Sequence, residues 1–405
     1  MSVRVYIDGN ELTVPGVGGT AALSGSVTRR LNRPSEATVT VPMDLSTGGA
    51  GSRLKVVINS ELWFHGFVTS CETDTGEDEG QTVYNAIDPL ELWAYRPVRD
   101  YDGLTPGNFV DPYILRDKKS GPQIIEAMLK ASENPALIPT AAEGPTFLEF
   151  GFFETGGSDL SGAPVDWPIT MAELASLLTS TGELDIILTP IDSGGNMARI
   201  DCYNGAYGSD LSASVVFEYG QGARNVRRLR WTEDLTIVAN KIQTFFGPKE
   251  TTRRYKSNIT ADDPCLPVQL GSAAMSALLA RRSASQAAYG VRMEIQEFDV
   301  DTLSKEQEPL GTCAQLDPVK LLFRRQWYQE SWIRSVPRTI VHITPVRGVG
   351  VGSFDIGDLV GVAVAPSVRG GFMGKQRVYG YSVSWDEDSV LEVSEIETSA
   401  DQEGA

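Results

Sequence analysis

The apolar residues of this chain fall mostly into short runs, rich in Val, Ile, Tyr and Phe and separated by Gly, Pro, Asp and Asn. Runs of that kind predict strands joined by tight turns. The clearest block lies at 339–397, with the stretches TIVHITPV, FDIGDLVGVAVA and QRVYGYSVSWDEDSVLEVSEIET. In the last of these, Val378, Tyr379, Tyr381, Val383 and Trp385 lead out, Asp386, Glu387 and Asp388 make a bend, and Leu391, Val393 and Ile396 return. That order predicts an antiparallel hairpin. A block of this length without a helical period predicts a closed or nearly closed barrel, because closure removes unpaired strand edges.

The start of the chain, 1–96, carries a second run of strands. Asp8-Gly9 is a hairpin signal inside VRVYIDGNELTV, and Asn59-Ser60 marks the tip between LKVVI and ELWFHGFVTSC. EATVTVPM places Ala37, Val39 and Val41 on one face and Thr38 and Thr40 on the other. Asp88, followed by Pro89 and Glu91, predicts a capped turn of helix that ends this first barrel. The pattern changes over 97–212. Ser120 with Gln123 forms one capping box, ahead of an apolar stripe of Ile124, Ile125, Met128 and Leu129. Thr170 with Glu173 forms another, with Ile169 placed to staple against Leu174 and Gly182 as the stop. A hairpin with the turn Ser193-Gly194-Gly195-Asn196 follows. Two helices with a hairpin predict an α+β insert.

The block 213–397 returns to strands, with SVVFEYG, NVRRLRWTEDLTIVANKIQTFFG and VRMEIQEFDV. It includes a predicted helix over 272–289, whose apolar face is Met275, Leu278 and Leu279. Residues 301–337 fit neither period and are read as an inserted or projecting element, and 398–405 as a flexible polar tail. The expected fold class is mainly β, α+β overall: two barrels separated by an α+β insert domain.

Composition supports a turn-rich globular protein of several domains, with 41% hydrophobic residues, 40 Gly and 22 Pro in 405 residues. The net charge of −18 argues against capture of a phosphate backbone, which requires clustered Lys and Arg. No apolar run reaches the roughly 20 residues of a membrane helix, and the start of the chain has no signal-peptide core, so a soluble, unsecreted protein is expected. Cys71, Cys202, Cys265 and Cys313 lie far apart and predict reduced thiols rather than a zinc or disulfide framework. His65 and His342 sit inside strands and are expected to be ordinary strand residues.

Motifs with chemical meaning are few. GVGGTA at 16–21 fits G-x-G-x-x-A, but β-type residues follow where a dinucleotide site needs a helix, so a loop is expected. The acids at 386–388 and 77–79 are expected to be solvated turns. No catalytic set, metal site or cofactor site is assigned. The dense basic group, Arg224, Arg227, Arg228, Arg230, Arg253 and Arg254 with Lys256, is read as a protein-protein surface, since the chain as a whole is acidic. Trp327, Tyr328 and Trp332 form a second candidate interface, as Trp, Tyr and Arg dominate binding hot spots.

Three stretches carry a family resemblance. VYNAIDPLELWAYRPV resembles the strand and Asp-capped turn that close the first barrel of phage tail hub proteins. ARNVRRLRWTEDLTIVANKIQTFFG is similar to the Asn-Val strand and Asn-initiated return that open their second barrel. FDIGDLVGV with RVYGYSVSWDEDS is like their closing Gly-Asp strand and final hairpin. The family is the tail-tip or baseplate hub of long-tailed bacteriophages, including late control protein D and the hub part of type VI secretion spikes. The resemblance implies two tail-tube-like barrels per chain and a homotrimer adapting a sixfold tail tube to a threefold tip. It implies no enzyme activity and a place at the virion tail tip after synthesis in the host cytoplasm. Implied partners are the distal tail protein, tail tube, tape measure protein and tail fibre or other minor tail proteins, with contact to the host surface at the tip. DNA would pass through the lumen without specific binding. The alternative expectation is a receptor- or carbohydrate-binding protein of the tail tip.

Overall fold

The computed structural model describes residues 3–12, 24–43, 46–75, 80–96, 120–133, 147–157, 170–180, 184–205, 207–236, 238–246, 255–256, 272–298, 338–348, 352–368, 370–386 and 391–400. The first block forms β1 (Val3–Ile7), β2 (Asn10–Glu11), β3 (Ser24–Arg30), β4 (Glu36–Pro42), β5 (Arg53–Ile58), β6 (Glu61–Asp74) and β7 (Gln81–Ile87). A 3-10 helix, Pro89–Tyr95, ends it. The middle block holds α1 (Gly121–Glu133), β8 (Leu148–Phe153), α2 (Met171–Ser180), β9 (Asp185–Ser193) and β10 (Asn196–Tyr203). The last contains β11 (Val216–Tyr219), β12 (Val226–Asp234), β13 (Lys241–Phe246), β14 (Tyr255–Lys256), α3 (Ser272–Tyr289), β15 (Met293–Phe298), β16 (Arg338–Pro345), β17 (Leu359–Val364), β18 (Phe372–Trp385) and β19 (Leu391–Ala400).

Local signals produce the local structure. Asp8 and Gly9 have φ of 49° and 82°, Asn59 and Ser60 51° and 71°, and Gly194 and Gly195 60° and 89°. These are the paired left-handed conformations of turns whose twist matches hairpin strands. At α2, Thr170 Oγ1 accepts from Glu173 N at 3.2 Å while the Glu173 carboxylate accepts from Thr170 N at 2.7 Å. At α1, Gln123 Oε1 accepts from Ser120 N at 3.1 Å. Asp88 accepts from Leu90 N at 2.9 Å and caps the 3-10 helix. Ile169, Gly182, Met275, Leu278 and the segment 301–337 lie outside the residues or side chains described, as does the loop at 16–21.

Long-range pairing gathers most strands into a single 13-stranded sheet in the order β12-β16-β19-β18-β3-β4-β7-β6-β5-β1-β2, with β17 beside β18 and β11 beside β17. The mainly-β expectation holds, and the two β blocks are joined edge to edge. The second half of β18 pairs with β3 over Gly380↔Arg30 to Trp385↔Gly25, so the halves share one ladder. Among the described residues no ladder closes either half into a barrel. Two long strands turn the sheet. β6 pairs β5 through its first half and β7 through its second, and β18 pairs β17 through its first half and β3 through its second.

The run NVRRLRWTEDLTIVANKIQTFFG also divides. β12 joins the large sheet, whereas β13 leaves it to pair with β14 and, in parallel, with β15. Asn240 anchors the start of β13 in that smaller sheet. Fully buried, it donates to Ser285 Oγ of α3 at 3.0 Å and to Gly290 O at 2.9 Å, and its Oδ1 accepts from Arg292 N at 2.9 Å.

One apolar cluster runs through the large sheet, from Val3, Val39, Leu54 and Phe64 to Phe217, Val341, Val383 and Ile396. A second lies between α1, α2 and the sheet β8-β10-β9, with Ile124, Leu129, Leu174, Leu178, Ile186 and Ile200 at its centre. No helix among the described residues is long and apolar enough to cross a membrane.

Candidate assembly interface

The sheet has a dry face and a wet face. On β3 the inward positions are Gly25, Val27 and Arg29, and Trp385 of β18 packs so tightly on Gly25 that an added Cβ would stand 2.2 Å from its Cζ2. The other face of the same ladders presents Ser24, Ser26 and Thr28 of β3, Thr38 and Thr40 of β4, and Ser382 and Ser384 of β18. Their hydroxyls bond to one another and to Asn85: Thr28 to Ser382 at 2.7 Å, and Thr38 to Asn85 Oδ1 at 3.0 Å. Arg30 at the end of this stripe is neutralised by Glu36 at 2.5 Å. Neutral hydroxyls therefore line the wet face of β3, β4 and the second half of β18, with Glu392 and Glu395 of β19 beside them.

The insert is locked to both halves through one buried carboxylate, Asp185, 2% exposed. Asn32, just after β3, donates to Asp185 Oδ1 at 3.0 Å, while Arg377 of β18 and the backbone N–H of Tyr207 reach Oδ2 at 2.6 and 3.0 Å. Asn32 also accepts from Ile186 N at 2.6 Å. Burial opposes the Arg377 charge, but Asp185 and Tyr379 beside it hold its pKa above the ordinary arginine value. A second, part-buried cluster joins Arg29 to Asp355 at 3.0 Å and to Tyr381 Oη at 3.3 Å. Burial pushes the Tyr381 hydroxyl up to about 12, so it stays protonated. In the sequence Asp185 is only an acid opening an apolar run, DIIL, and Arg29 and Arg377 look like surface charges. An acid at the mouth of an otherwise apolar strand is the one signal that could have marked the joint.

The residues behind the family resemblance are joints as well. Asp88 bridges Ser35 N at 2.6 Å to the 3-10 helix. Asn225 accepts from Glu218 N and donates to Val216 O, both at 2.7 Å, so it ties β11 to the start of β12. Asp358 accepts from Ser209 N and Asp355 N, both at 2.8 Å, and Gly357, φ 87°, lies where a Cβ on Gly208 would meet its carbonyl oxygen at 2.2 Å. Each serves closure of the fold.

The predicted basic surface is partly assembled. Arg224 stands on a turn with φ 50°. Arg227 occupies a bulge in β12, and Arg228 and Arg230 follow on the face opposite Leu229 and Trp231, which pack on the core. All four arginines are exposed. Arg253, Arg254, Trp327, Tyr328 and Trp332 lie outside the described residues. His65 is a strand residue held by Ile191 O at 2.7 Å, its pKa lowered by burial, and His342 lies 2.7 Å from Glu395. Cys71 is an exposed free thiol, and Cys202 is buried with its pKa raised by that burial. Among the described residues no cluster of His, Cys, Asp and Glu has metal-binding geometry.

No protein-family model matches the chain, and no curated protein matches it in sequence. Three solved structures match its fold over almost the whole length of both partners, and all three are described as tail proteins, two of them of prophages. The 43 kDa tail protein of prophage MuSo2 from Shewanella oneidensis aligns with a TM-score of 0.55 at 14% identity, over 98% of this chain and 97% of that one. A tail protein from Neisseria meningitidis MC58 aligns with a TM-score of 0.53 at 11% identity, over 99% and 96%. The prophage tail protein gp18 from Listeria monocytogenes EGD-e aligns with a TM-score of 0.51 at 10% identity, over 100% and 96%. At these identities the likeness is one of fold.

Proposed function

We propose that this chain is a structural subunit of a phage-type tail, three copies of which form the hub at its distal end. The observation that carries the proposal is the end-to-end fold likeness to three tail proteins, covering at least 98% of this chain in each case. Two half-sheets per chain give a trimer six similar positions around an axis, which suits a junction between a sixfold tube and a threefold tip. The hydroxyl face at the β3–β18 seam suits the channel wall. At the seam, neutral Ser and Thr side chains beside the acids Glu392 and Glu395 give a passing phosphate backbone nothing cationic to bind, and the trimer carries three times the chain's −18.

In this reading the partners are the distal tail protein, the tail tube, the tape measure protein and fibre or other minor tail proteins, and no reaction is assigned. The alternative, sugar or receptor binding at the tip, rests on Trp327, Tyr328 and Trp332, and no described residue favours it. Immuno-gold labelling of intact tails tests the proposal: label is expected at the end remote from the head, and label on the head, on the collar or nowhere on the particle overturns it.

A further inference from the structure

We infer that the large sheet continues from one copy of this chain into the next, the basic edge strand β12 pairing with the acidic outer half of β6. The inference rests on the ring reading above and names the edges that would close the ring. Four observations lead to it.

First, β12 ends the hydrogen-bonded order of the sheet. Second, the ladder between β5 and β6 stops at Phe67, leaving residues 69–74 of β6 paired with β7 alone among the named strands, and all six are exposed. Strand edges of this kind are templates for another chain. Third, the charges are opposite and equally spaced. Arg228 and Arg230 are exposed two residues apart on the wet face of β12, with no ion pair to either among the described residues. Glu72 and Asp74 are exposed two residues apart on the wet face of β6, opposite Val83 and Gln81 of β7.

Fourth, the directions agree. From β12 through β16, β19, β18, β3, β4 and β7 to β6 there are eight strands, each antiparallel to the next. The two end strands therefore run in opposite directions. A copy brought round by rotation about an axis along the strands presents its β12 antiparallel to the β6 of its neighbour, with the same face of the sheet turned the same way. In the register that sets Arg230 opposite Glu72 and Arg228 opposite Asp74, Thr232 stands opposite Ser70. Facing opposite charges favour such a pair, and facing like charges oppose it. The contact uses a different patch on each copy, the type of interface that makes rings rather than twofold dimers.

Sedimentation of the full chain over a range of concentrations tests this, together with a disulfide trap. The wild type is expected to associate towards a trimer. R228E/R230E and E72R/D74R should each weaken association by about a hundredfold, and the four changes combined should restore it. With Cys71 changed to Ser, S70C/T232C should give an oxidised ladder ending at three linked chains, while S70C or T232C alone should not. A wild type that stays monomeric at every concentration, reversals that leave association unchanged, or an absent ladder overturns the inference. The trap uses exposed positions, so it decides even if a charge reversal unfolds the chain. Gold label at the tail end together with unaltered association in the reversals would retain the tail reading and remove only these edges.

Discussion

The two halves of the large sheet share one ladder but are held by different physics. The half built from β1 to β7 packs mainly aliphatic side chains, Val3, Val5, Ile7, Val39, Val41, Leu54, Val56 and Ile58, in strict alternation with outward polar positions. The half built from β11, β12 and β16 to β19 packs rings, with Phe354 edge-on to Phe217 and Tyr381, and carries Arg377, buried against Asp185 of the insert, while its partly exposed Asp355 pairs with Arg29 of β3 across the seam. Aliphatic burial is non-directional and fixes which face is inside, whereas buried ion pairs fix which neighbour is correct. The insert docks on the C-terminal half through such a pair, whereas the N-terminal half meets it through the hydrogen bonds of Asn32 and His65, the Lys55–Asp192 pair, Phe67 and Arg53 against the Phe147 ring, and Leu90 and Trp93 in the insert's own apolar cluster.

The largest expected effect breaks that contrast at its joint. Asp185→Ala leaves Arg377 buried without its carboxylate and frees Asn32 and Tyr207 N. It should cost about 3–5 kcal/mol in urea unfolding, with the insert loosening from the sheet as seen by hydrogen exchange in β9.

Asp88, the one acid buried in the N-terminal half among the described residues, sharpens the comparison through pH. Burial raises its pKa to about 6, against the opposing backbone hydrogen bonds from Ser35 and Leu90. The folded state therefore binds this proton more tightly than the unfolded chain. Its contribution to stability is fullest below the unfolded carboxylate pKa and is lost as pH rises through about 6. Asp88→Asn removes that slope, so denaturation midpoints should show the variant gaining about 3 kcal/mol on the wild type between about pH 4 and about pH 7. A constant difference across that window would refute the shift.

A smaller effect is expected at the seam itself. Gly25→Ala would press a methyl group against Trp385 and lie 2.7 Å from Thr38 O, at a cost of about 1–3 kcal/mol. Trp385→Leu in the same chain should recover part of that loss, because it removes the ring that collides.

What could be read from the residues follows the range of the forces. The turns at Asp8-Gly9, Asn59-Ser60 and Gly194-Gly195, the capping boxes at Ser120 and Thr170, and the hairpin of β18 and β19 are set by neighbours within a few positions. Period-two alternation told which side of β4 faces inward, but not that β3 would pair with β18, where Thr28 meets Ser382 across 354 positions. The parallel pairs β8–β10, β11–β17 and β13–β15 were hidden for the same reason. The pattern within each block predicts a barrel because a block taken alone needs closure to pair its edges. Hydrogen bonding across the seam pairs β3 with β18, a link between blocks that no local pattern marks. On the candidate interface, the arginine run was visible and the alternation that puts Arg228 and Arg230 together was inferable. The matching acids of β6 were not, since nothing local marks where the ladder to β5 stops.

A map of the intact tail end at side-chain resolution tests the central claim most directly. The account predicts three copies of this chain around an open channel, the Ser26–Thr28–Ser382–Ser384 face turned to the lumen and β12 of each copy beside β6 of the next. A single copy, a copy outside the tail, or a channel wall of continuous basic side chains at this level would contradict it.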